Sequence, residues 1–408
     1  MSENNLVKEF RIYGMATDPI YIGTGGYTIG RVDNTIVRDP ITKLPKIPGS
    51  SLAGTWRYYV SLELLSKIKD KQPKLKDIKN LNGASLNEKI QEWVKQNPNN
   101  WSNKNSNNGF NNSWEYFNGN VVAKITCAGQ DNTPQEELSN SPDATNKEGK
   151  TGHCGHCIVC KGFGFSKKDL SWQGMIYFSD LNILFFPVFT RFGTKWITTK
   201  EILKNAKLYG KNTENEQDES KDLVCIALEK IEDGKEDGHI NLGWIYLPYK
   251  VENISLNLSE MKIGDFEINR DKIVIVPESL FSQIVNSNLE VRTSVSIDPI
   301  TGAAKEGALF TSEAIPRGTI FYGDLRIHDK SAFKGLLDKV GDLPDYTMLK
   351  EALCDSKHFF ETLGIGGMTT RGFGRIVLEI RDEDKNCEKA IPNQLNTGKT
   401  DPNGGEQK

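Results

Sequence analysis

Residues 24–65 read TGGYTIGRVDNTIVRDPITKLPKIPGSSLAGTWRYYVSLELL. A Gly-rich turn comes first, with Thr24, Gly25, Gly26, Thr28 and Gly30. Two isolated carboxylates follow, Asp33 and Asp39, beside Arg31 and Arg38. After a Pro-Gly turn, residues 50–65 open on serine and place apolar residues at helical spacing, which predicts a helix there. Upstream, residues 6–13 (LVKEFRIY) are patterned as a strand, so the chain opens as strand, loop, helix. Ser50 and Ser51 suit an N-cap, and unpaired N–H groups at a helix start also make a ready anion site. Asp39-Pro40 suits an ordinary turn.

Working outward, residues 67–173 lose this pattern. Between Gln96 and Asn120, 11 of 25 residues are Asn, interleaved with Trp101, Phe110, Trp114, Tyr116 and Phe117, so a low-complexity loop with some packed aromatics is expected. Pattern returns at residues 174–189, strand-like throughout. Residues 211–238 hold ten Asp or Glu against four Lys and are expected to form a solvated insertion. Further strands are expected at 239–258, 291–297 and 373–380, and helices near 279–287, 331–340 and 347–363. Short strands and helices interrupted by long loops predict an α+β core with insertions, not a string of independent domains.

Composition bounds the rest. The 408 residues are 37% hydrophobic and 26% charged, enough for a sizeable core, and 51 basic against 54 acidic residues leave a net charge of −3. That balance neither announces nor forbids a nucleic-acid partner, because the distribution of charge decides. No stretch approaches the ~20 apolar residues of a membrane span. The opening MSENNLVKEF lacks a basic region followed by an apolar one, so no secretory signal is expected. Seven cysteines are an odd set for a disulfide framework, and a reduced, cytoplasmic protein is the expectation.

Three of those cysteines fall at Cys154-Gly-His156-Cys157-Ile-Val-Cys160. Two-residue gaps allow a tight knuckle turn in which three thiolates converge on one ion. A ferredoxin-type run would need cysteine at 164, where Gly164 stands, so zinc is preferred to iron–sulfur. Cys127 is the expected fourth ligand, with His153 and His156 as alternatives. A closed set of four makes the ion structural, and its removal is expected to loosen the insertion while sparing the core.

Two more segments carry chemistry. In residues 291–324, two β-prone arms flank Asp298-Pro-Ile-Thr-Gly302, which predicts a long hairpin. Residues 364–375, GIGGMTTRGFGR, place five glycines within eleven residues beside Arg371 and Arg375. Such a loop lets the backbone approach a phosphate closely. It precedes a strand and follows a helix, the reverse of a dinucleotide fingerprint.

Taken in order, VDNTIVRDPITKLPKIPGSSLAG, the cysteine knuckle running into KGFG and GMIYFSDL, then IDPITGAAKEGALFTSEAIPRG and GIGGMTTRGFGRI, the chain resembles the RAMP superfamily. Within it, the chain is similar to the repeating backbone subunit of type III CRISPR–Cas effector complexes. The motifs cover about a third of the chain. The resemblance implies a ferredoxin-like, RRM-type core formed by residues 1–66 and 174–380. It carries a thumb-like hairpin at about 291–316 and the acidic insertion at about 205–240. Residues 67–173 become an inserted Asn-rich and zinc-knuckle region, and 381–408 a flexible tail.

The resemblance also implies partners and roles. Copies of the chain, or related subunits, would stack with other effector subunits along a guide CRISPR RNA that captures a complementary target RNA; no membrane is implied. The guide backbone would lie along Ser50, Ser51, Gly366, Gly367, Arg371, Gly372 and Arg375. Family members often carry Lys after the Ser-Ser-Leu; here the position is Ala53, and Arg57 one turn on would take over its contact. The hairpin would flip target bases, acting through apolar wedging because residues 291–326 carry four basic and four acidic groups. Asp33 matches the acidic residue that cuts beside each flipped base. A lone surface Asp is a poor general base at neutral pH, so its implied role is to hold Mg²⁺ or another divalent ion. Asp39 is the weaker candidate. The alternatives are a backbone subunit that binds guide RNA and cuts nothing, and a guide-processing ribonuclease using His acid–base catalysis. The latter is disfavoured because none of the five histidines lies in the N-terminal third.

Overall fold

In a computed structural model of the protein, residues 6–25, 32–69, 126–128, 157–166, 171–209, 223–232, 235–258, 263–336 and 343–382 are described. The Asn-rich segment, Cys154, His153, His156, half of the acidic run and residues 383–408 lie outside them.

Strand β1 (Val7–Ala16) is buried without interruption from Phe10 to Gly14. A strand covered on both faces loses the alternation of a half-exposed one. It lies between β14 (Ile320–His328) and β15 (Ile376–Asp382), antiparallel to both. Beyond β14 come β5 (Ile176–Phe178) and β6 (Leu181–Thr190), again antiparallel. Helix α1 (Gly49–Lys69) joins β1 to this side, after the short β2 (Lys46–Ile47) that pairs with β6. Helices α5 (Tyr346–Ser356) and α6 (His358–Thr362) join β14 to β15.

The sheet then extends through β7 (Gly193–Thr198), β11 (Ile273–Ile275), β8 (Cys225–Ala227), β10 (Ile245–Val251) and β9 (Asp237–Leu242). Two pairs in this extension, β7 with β11 and β8 with β10, are parallel. The sheet is therefore mixed, with 11 strands among the described residues. Helix α3 (Lys200–Asn205) follows β7, its N-cap Thr199 accepting from the Ile202 N–H. Helix α4 (Glu278–Ser287) leads into the hairpin of β12 (Glu290–Ile297) and β13 (Ala304–Ala314), which stands apart from the main sheet. Near the knuckle, α2 (Ile158–Phe163) is followed by the small pair β3 (Phe165–Ser166) and β4 (Ser171–Trp172).

Several expectations are corrected. The apolar block at 174–189 is two strands, because at the break Ser179 donates its N–H to Asp324 O and Asp180 turns to the start of α1. Inside the acidic run, Cys225, Ile226 and Ala227 are buried as an inner strand, so that stretch is not solvated. The helix expected at 347–363 is two helices meeting at Lys357. Of the helix expected at 331–340, the described part is 3-10 over Lys330–Leu336, and residues 337–340 lie outside the described residues.

One face of the sheet is closed by α1 and α5. Trp56 is fully buried between them, stacked on Phe178 at 5.4 Å and edge-on to Phe360 at 5.1 Å. Its indole N–H is satisfied by Leu353 O and Ser356 Oγ, both at 3.2 Å. A second apolar cluster, with Leu184, Phe185, Leu203, Ile226 and Ile320, is formed around β6, α3, β8 and β11. No helix among the described residues is long and apolar enough to cross a membrane. Trp56→Ala should lower unfolding free energy by about 3–5 kcal/mol, the range for deleting a buried aromatic. Denaturant unfolding of the isolated subunit measures it.

Candidate nucleic-acid interface

The stretch just after β1, residues 17–23, is gripped from three directions. Ile20 exchanges two backbone hydrogen bonds with Ile315 at the base of the hairpin. Pro19 O and Tyr21 O accept from Gly374 and Gly367 of the Gly-rich loop, at 2.8 and 2.9 Å. Ile22 O accepts from Val37, just beyond Asp33, at 2.8 Å. Hairpin base, Gly-rich loop and Asp33 loop thus converge through one irregular segment. Arg292 of β12 adds a direct link, donating to Gly372 O at 3.1 Å while its guanidinium lies over Phe373.

Asp33 is exposed and lies against β13. Its Oδ2 accepts from the Thr311 N–H at 2.7 Å and from Thr311 Oγ1 at 3.0 Å. Those bonds hold its carboxyl below the usual carboxylate range. Its second oxygen, Oδ1, has no hydrogen-bond partner among the described residues. Asn34 continues the seam: its N–H donates to Thr311 O and its carbonyl accepts from Glu313, both at 3.0 Å. Glu313, nearly buried, receives Arg38 at 2.7 Å, and Arg38 Nε also donates to Asn286 Oδ1 of α4.

Asp39 is differently placed. Its Oδ1 accepts from the N–H groups of Ile41 and Thr42, both at 2.9 Å, and Lys46 lies 3.2 Å from Oδ2. Backbone N–H donors, with Lys46 behind them, lower its pKa to about 2. Both oxygens are committed to the turn that leads into β2.

Three of the glycines at 364–374 are required by the protein's own backbone. Gly366 has φ +84°, and a Cβ there would sit 2.2 Å from Tyr21 O. At Gly374, φ +92°, it would meet Ile365 O at 2.5 Å. Gly372 is exposed and open, its hypothetical Cβ 3.5 Å from Arg292. Arg371 and Arg375 are exposed on the same loop; Arg375 pairs with Asp18 at 3.4 Å, and Arg371 has no ion-pair partner among the described residues.

The first N–H of α1 is already met by a side chain. Asp180 Oδ1 accepts from the Gly49 N–H at 2.8 Å, and Lys46 pairs with Asp180 at 2.7 Å. Ser50 is exposed and Ser51 half-buried beside a helix end that a carboxylate serves. Arg57 donates Nε to Cys127 O at 2.6 Å, so that nitrogen faces the cysteines and is not open for a phosphate. The sulfurs of Cys127, Cys157 and Cys160 lie within 4.8 Å of one another, all buried. The Cys160 N–H points at Cys157 Sγ, 3.4 Å away.

Sequence reasoning did not single out Thr311, Arg292, Glu313 or the 17–23 segment. Thr311 and Glu313 alternate along β13 at strand spacing, which is the only local signal they carry.

A family model described as the RAMP superfamily matches residues 15–377. The chain belongs to the RAMP superfamily. Over 223 residues, 52% of this chain and 71% of the relative, it is 26% identical to the CRISPR system Cmr endoribonuclease Cmr4 of Pyrococcus furiosus. A 36-residue stretch, 9% of this chain and 15% of the relative, is 58% identical to the CRISPR system Cms endoribonuclease Csm3 of Methanothermobacter thermautotrophicus. Among solved structures, a chain of the type III-B Cmr-beta complex in the apo state aligns with TM-score 0.47 at 14% identity, covering 91% of this chain and 97% of that one. Oligomeric Cmr4 from Pyrococcus furiosus aligns with TM-score 0.44 at 16% identity, covering 92% and 98%. This RAMP chain keeps its motifs within the matched span.

The Asp39 turn predicts a pH dependence. A carboxyl whose folded pKa is depressed stabilises the fold fully above its unfolded pKa of ~3.9 and ceases to as pH falls through the folded value. Asp39→Ala should therefore lower the denaturation midpoint at pH 7, and the gap to the unmutated protein should narrow from about pH 4 toward about 2. Urea titrations at a series of pH values read this directly.

Proposed function

We propose that this RAMP protein is the RNA-guided backbone subunit of a type III CRISPR effector complex and cuts complementary target RNA at Asp33. The carrying observation is the Asp33 carboxylate, exposed, ionised at neutral pH and pinned by one oxygen to the hairpin strand while the other has no partner among the described residues. The likeness to Cmr and Csm endoribonucleases supports the same reading. The strand order β15–β1–β14–β5/β6, crossed by α1 and α5, is read as a ferredoxin-like core, and the β12–β13 hairpin as a thumb. Val291, Val295, Ile297 and Leu309 are exposed on that hairpin, with Ile300 at its tip, which suits apolar wedging between bases.

RNA supplies its own nucleophile, the 2′-OH, and a flipped nucleotide reaches the in-line geometry that a regular helix denies it. A carboxylate with a depressed pKa is a weak base and a good ligand for a hard cation. Mg²⁺ takes one or two carboxylates plus substrate phosphates, which fits a single open oxygen, and when bound it would neutralise charge on the phosphate. Guide RNA would be met by the exposed Arg371, Arg375 and Gly372. Ser50, Ser51, Gly366 and Gly367 would line its path, with Arg57, whose Nε is bound to Cys127 O, on the same helix as the two serines. Asp33→Ala, an exposed change that leaves no cavity, should assemble and capture target RNA yet leave it intact. The check is cleavage of a labelled complementary RNA by the assembled complex, with EDTA reproducing the loss; full cutting by the variant would remove Asp33 from the chemistry. An unmutated complex that cuts nothing with Mg²⁺ present would favour the non-catalytic backbone subunit.

The cysteine cluster is proposed to hold a structural zinc through Cys127, Cys157, Cys160 and Cys154. Three buried thiols within 4.8 Å suit an ion whose sulfur ligands sit at about 2.3 Å, and a divalent cation would hold them as thiolates. Cys157 and Cys160 pack in the main core with Val159 and Trp172. Loss of the ion would therefore weaken the core, contrary to the expectation that only the insertion loosens. Elemental analysis should find about one zinc per chain, and Cys160→Ser should lose it and lower the melting temperature. Zinc retained by Cys154→Ser but lost by His153→Ala would reassign the fourth ligand.

A further inference from the structure

We propose that Thr311 is a positioning residue for strand scission: it sets the direction of the Asp33 carboxylate so that Oδ1 is the oxygen turned toward the RNA. The inference rests on the reading of Asp33 as the cutting residue.

The geometry is reciprocal. Asp33 donates its backbone N–H to Thr311 Oγ1 at 3.1 Å, and the same hydroxyl donates back to Asp33 Oδ2 at 3.0 Å. The Thr311 N–H adds a second bond to Oδ2 at 2.7 Å. An exposed aspartate otherwise turns freely about its last torsion, which is broad and roughly two-fold. Two donors on one oxygen remove that freedom and leave the other oxygen outward. The backbone bond alone fixes a point; the hydroxyl fixes the plane.

Neighbouring contacts tie the Asp33 loop to the same strand. Asn34 pairs with β13 on both sides of Ser312, and Glu313 binds Arg38 and the Ile36 N–H. The carboxylate is therefore held against the hairpin strand, while Val37 ties the same loop to the segment after β1. A hairpin seated between guide and target would carry its cutting residue to the phosphate it exposes. Misplacement by about 1 Å costs on the order of a hundredfold in rate, so such coupling matters.

The test uses the assembled complex, a labelled RNA complementary to its guide, and Mg²⁺. Thr311→Val keeps shape, β-propensity and the backbone N–H and deletes only the hydroxyl. It should bind target with unchanged Kd and cut at saturation about ten- to a hundredfold more slowly, the usual loss for an orienting hydrogen bond. Thr311→Ser, which restores the hydroxyl, should return most of the rate. Thr311→Val cutting at the unmutated rate while Asp33→Ala is inactive would overturn the positioning role and leave the assignment of Asp33 standing. Loss of target binding in step with cleavage would also overturn it, making Thr311 a structural residue of the hairpin. Asp33→Ala cutting normally would overturn the functional reading itself, and this inference with it.

Discussion

Seven residues after the first strand hold the candidate site together. Backbone groups of residues 17–23 pair with the hairpin base at Ile315, with Gly367 and Gly374, and with Val37. Backbone hydrogen bonds of this kind are each modest in net free energy, about 1 kcal/mol, but expensive to leave unmade once buried. Because all three loops share one partner segment, none can shift without breaking its bonds. The sheet enforces this from below: β1 is fixed on both sides by β14 and β15, so the segment emerging from it has a fixed origin.

The same constraint explains the Gly-rich loop. Three of its positive-φ glycines, Gly364, Gly366 and Gly374, face backbone within the protein: a side chain at 366 or 374 would strike a carbonyl. Glycine there is a packing requirement first, and any approach to a phosphate falls to the exposed Gly372 and the two arginines. The start of α1 shows the converse. Its orphan N–H is met by Asp180, a carboxylate at a helix N-terminus where negative charge is favoured. Lys46 then bridges Asp180 and Asp39 at the entry to the helix.

Much of the fold was legible because local chemistry and final structure agree. A strand covers the segment 6–13, a helix runs through 50–65, and the first hairpin arm alternates along most of its length. The Asp298 side chain accepts from Ile300 and Thr301 at the turn, as its sequence suggests. Cys127 was placed with the knuckle cysteines from ligand arithmetic, and the structure brings it to Cys157 and Cys160. What could not be read depends on partners far along the chain. The buried strand Cys225–Ala227 hides in an acidic run, and the break at Ser179 and Asp180 exists to serve β14 and α1. Thr311 looked like one polar residue of a strand; its meaning comes from Asp33, 278 positions away.

The central claim is that the Asp33–Thr311 seam faces the RNA at the point of cutting. A high-resolution structure of the assembled complex with guide and an uncleavable target RNA measures this directly. With Mg²⁺ bound at about 2.1 Å to each oxygen, Asp33 Oδ1 should lie within about 4 Å of an oxygen of the phosphate beside a displaced nucleotide. A target strand running along the opposite face of the sheet, with that phosphate far from Oδ1, would contradict the account.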